Sequence, residues 1–112
     1  MENMTANQPF WRQGDIYFVK LDRDADLQEA KPVKSGVIAR GETTGHAHRV
    51  SNASLVAGAL LCLLREAMFL RTPEEGAVIV HEEHGPITLP QGVYAVQHQQ
   101  EFDGLAFRRV WD

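Results

Sequence analysis

A chain of 112 residues with 44% hydrophobic and 23% charged residues can build one packed core but not two, since compact domains usually run about 100 to 150 residues. This composition is ordinary for a globular protein and excludes disordered, collagen-like and coiled-coil chains. The net charge of −4 argues against duplex nucleic acid as a partner, because Lys and Arg occur singly or in pairs and form no basic stripe.

The N-terminal residues 1–12 are polar and contain no apolar segment of signal-peptide length. The longest apolar run, residues 55–64, is roughly half of what a membrane-spanning helix needs. Cys62 is the only cysteine, so it can close no intramolecular disulfide, and its apolar neighbours indicate a buried thiol. We therefore expect a flexible leader over residues 1–12, a single domain over residues 13–112, no membrane partner and a cytoplasmic protein.

Short segments rich in β-branched and aromatic residues follow the leader and are separated by turn residues. The stretch 22–32 is expected to be a loop, because Lys31 precedes a proline and is pushed out of the helical region. Gly41 and Gly45 mark places where the backbone turns or bulges. The predicted strands cover residues 16–21, 37–40, 42–50, 77–80, 93–102 and 105–111.

Residues 55–70 are ambiguous. Ala, Leu and Met favour a helix there, whereas Arg65-Glu66 would be the turn of a hairpin that joins residues 60–64 to residues 68–71. We favour the hairpin. Seven or eight short strands, with a turn signal about every 8 to 12 residues, are typical of all-β domains. The expected fold is therefore a small single-domain β-barrel or β-sandwich, with a cupin-like barrel as one version of it.

Four of the five histidines fall in two short segments, each beside glycine at a predicted strand end. His46 and His48 are two positions apart on a predicted strand, so both side chains point to the same face. His81 and His84 would face opposite ways in an extended chain, but a turn at residues 82–83 would bring one of them, together with a carboxylate, toward the first pair. The two segments are therefore the candidate functional site.

Three histidine nitrogens and a carboxylate suit zinc, iron(II), manganese or nickel, and an open coordination position would let the metal activate water. The sequence therefore predicts a divalent transition metal as cofactor. Glu82 or Glu83 would then be the catalytic general base. The predicted metal ligands are His46, His48, His81 and His84.

A structural role for the same histidines stays open, because histidines at loop ends also cap carbonyl groups, pair with acids such as Glu82, or stack on one another. His98, the fifth histidine, is expected to be an exposed strand residue outside the site. The polar residues beside the first pair would either orient its imidazoles or form an ordinary strand edge. They are Glu42, Thr43, Thr44 and Arg49.

Three strings occur together in this chain: GETTGHAH at residues 41–48, HEEHGPITLPQGVY at residues 81–94, and QQEFD at residues 99–103. Their combination resembles a family of small bacterial and phage proteins of unknown function over roughly residues 13–112. The resemblance implies a shared site but names no reaction. His98 has no counterpart in that pattern.

A looser resemblance is to the cupins, whose metal sites use a His-x-His pair on one strand and a later histidine beyond a Pro-x-Gly turn. The His-Ala-His string at residues 46–48 and the Pro-Gln-Gly string at residues 90–92 are similar. This chain departs from the pattern, because no glutamate follows His48 at the cupin spacing and the histidine after the turn comes late, at His98. The cupin resemblance therefore implies ligand roles for His46 and His48 alone.

Three functions are compatible with these patterns. The first is a metal-dependent hydrolase or related metalloenzyme that acts on a small molecule or a phosphoester. The second is a non-catalytic interaction or self-assembly module, such as a homo-oligomer, in which the histidines are structural. The third is metal-free acid–base catalysis on RNA, in which His46 or His48, His84 and Arg49 serve as base, acid and phosphate-holding group, although the acidic net charge opposes tight RNA binding.

Overall fold

The computed structural model describes residues 8–22, 26–41 and 44–99. Within these ranges the chain forms ten β-strands and one short helix. In chain order the elements are β1 Phe10–Gln13, β2 Ile16–Lys20, β3 Lys31–Pro32, β4 Val37–Arg40, β5 Ala47–Val50, α1 Asn52–Val56, β6 Leu60–Leu64, β7 Ala67–Thr72, β8 Ala77–Val80, β9 Ile87–Leu89 and β10 Gly92–His98.

The strands form two antiparallel sheets. One sheet has six strands in the order β1-β2-β10-β7-β6-β3, and the other has four in the order β4-β5-β8-β9. The all-β expectation is therefore confirmed. Of the two architectures expected, the described strands form the sandwich, because both sheets stay open and do not close into a barrel.

The main core fills the space between the two sheets. Side chains alternate along each strand, so every second residue of β2 points inward, and Ile16 and Phe18 are both fully buried. Burial of each such side chain contributes about 1.5–3 kcal/mol to folding. The other buried members of this core are Ile38, Val50, Ala59, Leu61, Leu70, Ala77, Ile79, Leu89 and Tyr94.

The opposite face of the six-stranded sheet is also buried. Leu27, from the segment between β2 and β3, packs on this face, so β2 shows no exposed position in its first four residues. Cys62 lies here and is fully buried, as expected, and this burial raises the pKa of its thiol. The second core consists of Val19, Leu27, Cys62, Phe69, Val93 and Ala95.

The ambiguous residues 55–70 contain the predicted hairpin. Strands β6 and β7 pair in register from Leu64 opposite Ala67 onward, and the turn between them places Arg65 at a positive φ of 59°. The helical tendency is realised only before this hairpin, in α1. That helix begins after Ser51, whose side-chain oxygen accepts the backbone N–H of Ser54, the arrangement expected of an N-cap.

Several expectations differ from the described structure. The strand expected over residues 93–102 ends at His98, and strand β9 was not predicted. The leader was expected to extend through residue 12, but β1 begins at Phe10 and pairs with β2. The strand expected over residues 42–50 begins only at Ala47, because the N–H of Gly41 donates to the carbonyl of His46 and closes a turn before it. The two-residue strand β3 was not predicted. Residues 42–43, the strand expected over residues 105–111, and residues 100–103 of the third string lie outside the described residues.

Candidate functional site

The two histidine-bearing segments lie side by side. Strand β5 pairs with β8 so that Arg49 lies opposite Val80, and this register brings His48 next to His81, the first residue after β8. The ring centroids of His48 and His81 are 4.3 Å apart, and those of His46 and His81 are 5.8 Å apart. His84 completes the group, with its ring 4.6 Å from His81 and 5.7 Å from His48. We call these four residues the histidine corner.

His48 is the buried member of the corner, with only 6% of the residue exposed. Its Nδ1 lies 2.8 Å from the Oε1 atom of Gln13. The amide of Gln13 cannot turn over, because its Nε2 donates to the carbonyl oxygens of Ile79 and Gly85, both at 3.0 Å. Oε1 of Gln13 therefore accepts a hydrogen bond from the N–H at Nδ1 of His48, and the Nε2 atom of neutral His48 keeps its lone pair.

The surroundings of His48 favour this neutral state. Burial is the largest cause of a lowered pKa, and the neighbouring rings of His81 and His84 lower it further. The carboxylate of Asp15 opposes the shift but does not cancel it. His48 is therefore an unprotonated nitrogen base with a fixed tautomer, which is the state that either a metal ligand or a proton acceptor requires.

His81 has a different part in the corner. Its Nδ1 accepts the backbone N–H groups of Glu83 at 3.0 Å and of His84 at 3.3 Å. Neutral His81 therefore carries its proton on Nε2, and its Nδ1 lone pair is already engaged. His81 shapes the loop after β8 and so positions the His84 ring.

The role of His81 as a hydrogen-bond acceptor predicts different effects for two substitutions. His81→Ala removes the acceptor of two loop N–H groups and should lower the free energy of unfolding by about 1 kcal/mol. His81→Asn should stay close to wild type, because the Asn side chain can accept the same backbone N–H two residues on. Urea denaturation of both variants measures the difference. Equal losses would show that ring packing, rather than the acceptor atom, is what His81 contributes.

His46 lies at the outer side of the corner. The Oγ1 atom of Thr44 accepts its backbone N–H at 3.1 Å, which holds the residue at the end of the turn before β5. Its Nδ1 lies 3.7 Å from the Oε1 atom of Glu83, and the Glu83 side chain is 69% exposed. His46 and Glu83 thus form a partly solvated pair beside the other rings.

Glu82 ties the loop to β5. Its Oε1 accepts the backbone N–H of Ala47 at 2.8 Å, and its Oε2 lies 4.0 Å from Nη2 of Arg49. The Ala47 hydrogen bond is the main reason that the pKa of Glu82 is lowered. One oxygen of Glu82 is thus engaged with the backbone of β5, and the catalytic role of Glu82 stays a prediction.

The β1–β2 turn, Gly14-Asp15, forms a third wall of the corner. The Oδ1 atom of Asp15 lies 3.6 Å from Nε2 of His48. Gly14 has a φ of 60°, and a Cβ atom added to it would lie 2.7 Å from Nε2 of His84 and 3.2 Å from Cε1 of His48. The absence of a side chain at Gly14 thus leaves space for the two rings.

His98 also belongs to this region. It ends β10 and pairs with Ile16, the residue that follows Asp15. It is exposed, as expected, yet it lies near enough to His48 to lower the pKa of that residue further. All five histidines of the chain therefore lie in the same region of the structure.

The sequence interpretation missed Gln13, Gly14 and Asp15 as site residues. A usable signal was present, because Gln13 alternates with Trp11 on the inward face of β1, where a polar residue needs a buried partner. Gln13 is only 2% exposed. The preceding strand had been assigned to the leader, so this inward polar position could not be recognised.

The described side chains do not form a closed metal site. Within residues 8–22, 26–41 and 44–99, no three His, Cys, Asp or Glu side chains are placed so that they could hold one metal ion. In the same ranges no helix is long and apolar enough to cross a membrane.

Comparison with known proteins identifies the family without adding a known activity. No curated protein and no solved structure is significantly similar to the chain. A family model described as domain of unknown function DUF8820 matches residues 12–99, which include every strand from β2 to β10 and the whole histidine corner. The chain therefore belongs to the DUF8820 family.

Proposed function

We propose that the protein binds a divalent transition metal ion, such as Zn²⁺, Fe²⁺, Mn²⁺ or Ni²⁺, at the histidine corner. One observation carries the proposal: the imidazoles of His48 and His84, which come from two separate segments, have ring centroids 5.7 Å apart. Two imidazoles bound to one tetrahedral ion through nitrogens at about 2.0–2.1 Å have centroids roughly 5 Å apart.

The fold fixes the tautomer and the ring orientation of His48, as a metal ligand requires. A metal-bound imidazole usually donates its second N–H to a fixed acceptor, which sets the tautomer and the ring orientation. Gln13 supplies that acceptor at Nδ1 of His48. The lowered pKa of His48 keeps its other nitrogen free of a proton that a metal ion would have to displace.

His84 is the second ligand in this proposal. It is exposed, so its ring can rotate to direct Nε2 at an ion beside His48, and exposed side chains change rotamer in picoseconds to nanoseconds. His81 supports the loop through Nδ1, and Nδ1 of His46 lies beside the carboxylate of Glu83. The predicted four-histidine set is thereby narrowed to His48 and His84.

The chemistry that follows from such an ion is activation of a bound water molecule. Hydrolysis of a small molecule or a phosphoester is the reaction class we propose, in a cytoplasmic protein without duplex nucleic acid or membrane partners. We also propose, from the sequence alone, that the protein forms a homo-oligomer and is related to the cupins.

A second function has one observation in its favour. Neutral His48 presents a lone pair at Nε2 with the Asp15 carboxylate beside it. Metal-free acid–base catalysis by the same histidines is therefore the alternative, and a purely structural role as an interaction module is the third. Metal binding separates the first function from the other two.

The test is a metal titration of chelator-treated protein with Zn²⁺ and Co²⁺, followed by elemental analysis after gel filtration. Wild type should retain about one equivalent, whereas His48→Ala and His84→Ala should each weaken binding at least about 100-fold, because each removes a ligand. Glu74→Gln, in the exposed turn after β7, is the control and should bind like wild type. A folded wild-type protein that takes up no metal would overturn the proposal and leave the metal-free alternatives.

A further inference from the structure

We infer that Asp15, in the β1–β2 turn, is the carboxylate ligand of the metal site. The three ligands His48, His84 and Asp15 are not yet converged on one point, so the exposed side chains of His84 and Asp15 would rotate toward the ion when it binds at buried His48. This inference rests on the proposed metal-binding function and adds a donor that the histidine pattern did not predict. A set of two imidazoles and one carboxylate leaves coordination positions open to solvent.

The contact between Asp15 and His48 carries the inference. The 3.6 Å between Oδ1 and Nε2 is close to the separation of two donor atoms on one tetrahedral ion, which is roughly 3.4 Å for bonds of about 2.0–2.1 Å. Gln13 engages Nδ1 of His48, so Nε2 is the nitrogen that faces the Asp15 carboxylate. The two atoms are both types that bind a divalent cation, and they lie at the separation that a shared ion would require.

The turn that carries Asp15 is held in place. The side chain of Arg12 donates from Nε to the carbonyl oxygen of Gly14 at 2.7 Å. Gln13, the last residue of β1, is anchored to the β8–β9 segment through Ile79 and Gly85. The backbone that positions the carboxylate is therefore tied directly to the strand and loop that carry the histidines.

Gly14, the neighbour of Asp15 in the turn, lies directly against the rings of His48 and His84. The space that its missing Cβ would fill lies 2.7 Å from Nε2 of His84 and 3.2 Å from Cε1 of His48. The donor nitrogen of His84 thus already lies against the turn that carries Asp15. The Asp15 side chain is 68% exposed, so a change of rotamer can direct either carboxylate oxygen at an ion between the rings.

The ligand set also indicates which ions are bound. Nitrogen and oxygen donors favour Zn²⁺, Fe²⁺, Mn²⁺ and Ni²⁺, whereas Cu⁺ prefers sulfur. Cys62 is the only cysteine and lies buried in the second core, so the corner contains no thiolate. Carboxylates of Glu82 and Glu83 beside the rings add to the attraction for a dication.

The experiment compares Asp15→Asn with Glu74→Gln in Co²⁺ and Zn²⁺ titrations of the full chain. Both variants remove one negative charge at an exposed turn, but only Asp15→Asn removes the inferred ligand. We expect Asp15→Asn to weaken binding at least about 10-fold and to change the visible absorption of bound Co²⁺, with an unchanged urea midpoint for the metal-free protein. Asp15→Glu should restore part of the affinity.

The outcomes separate this inference from the function on which it rests. If His48→Ala abolishes binding while Asp15→Asn binds Co²⁺ with wild-type affinity and spectrum, the inference is overturned and the proposed function stands. If the Asp15→Asn loss disappears in high salt and the spectrum is unchanged, Asp15 acts through its charge and the ligand assignment is wrong. If wild type binds neither ion, both the Asp15 assignment and the proposed metal-binding function are wrong.

Discussion

Replacing Gln13 by leucine is expected to lower the free energy of unfolding by about 3 kcal/mol, the largest effect of any polar substitution proposed for this protein. The side chain is 2% exposed and serves three partners: Nδ1 of His48 and the carbonyl oxygens of Ile79 and Gly85. Leucine keeps the volume but leaves these groups unpaired, and each buried unpaired group costs about 1–3 kcal/mol.

The matched control for this substitution is Gln91→Leu, which makes the same chemical change at an exposed position of the turn before β10. We expect it to change stability by less than about 0.5 kcal/mol. Urea denaturation followed by tryptophan fluorescence measures both, since Trp11 packs edge-on against Tyr94 with ring centroids 5.6 Å apart. Equal effects at the two positions would mean that Gln13 does not hold β1 to the other sheet.

Gly76→Ala is expected to cost about 3 kcal/mol. Gly76 has a φ of 84°, and an added Cβ would lie 2.8 Å from the backbone oxygen of Leu89. The left-handed conformation alone costs an alanine about 1–2 kcal/mol. The clash adds to that cost, because Leu89 belongs to β9, which pairs with β8 through Ala77, and neither strand can move away cheaply.

Gly45→Ala separates the cost of the left-handed backbone conformation from the cost of the steric clash. Gly45 has a similar φ of 76°, but its added Cβ would meet no atom of the described structure within 4 Å. It should therefore lose only about 1 kcal/mol from the backbone term. Thermal or urea unfolding of the pair gives the steric contribution as a difference, and a Gly45→Ala loss equal to that of Gly76→Ala would contradict this account.

The strands that could be predicted from the sequence are those with a local signal. Residues 60–64 and 77–80 are apolar and bounded by turn residues, and each is a strand in the structure. Strand β1 could not be predicted in the same way, because residues 10–12 were expected to belong to the polar leader. Their pairing with β2, rather than any property of the segment, makes it a strand.

The candidate site could be predicted only in part for a similar reason. The concentration of histidines is visible along the chain, and the side-by-side placement of the two segments follows from the β5–β8 register, which no local pattern encodes. Asp15 lies far from these histidines in sequence and no local pattern marks it. Its place beside His48 depends on long-range packing, so it could not be predicted, whereas Gln13 could have been recognised only if β1 had been predicted as a strand.

The position of β10 has a consequence for how the protein acquires its structure. This strand comes last among those described, yet it lies between β2 and β7 in the six-stranded sheet. The β1–β2 hairpin therefore has no neighbouring strand to join until β10 has been synthesised, and pairings between distant segments form slowly because the chain must first close a long loop. The six-stranded sheet can therefore be completed only after β10 has been synthesised.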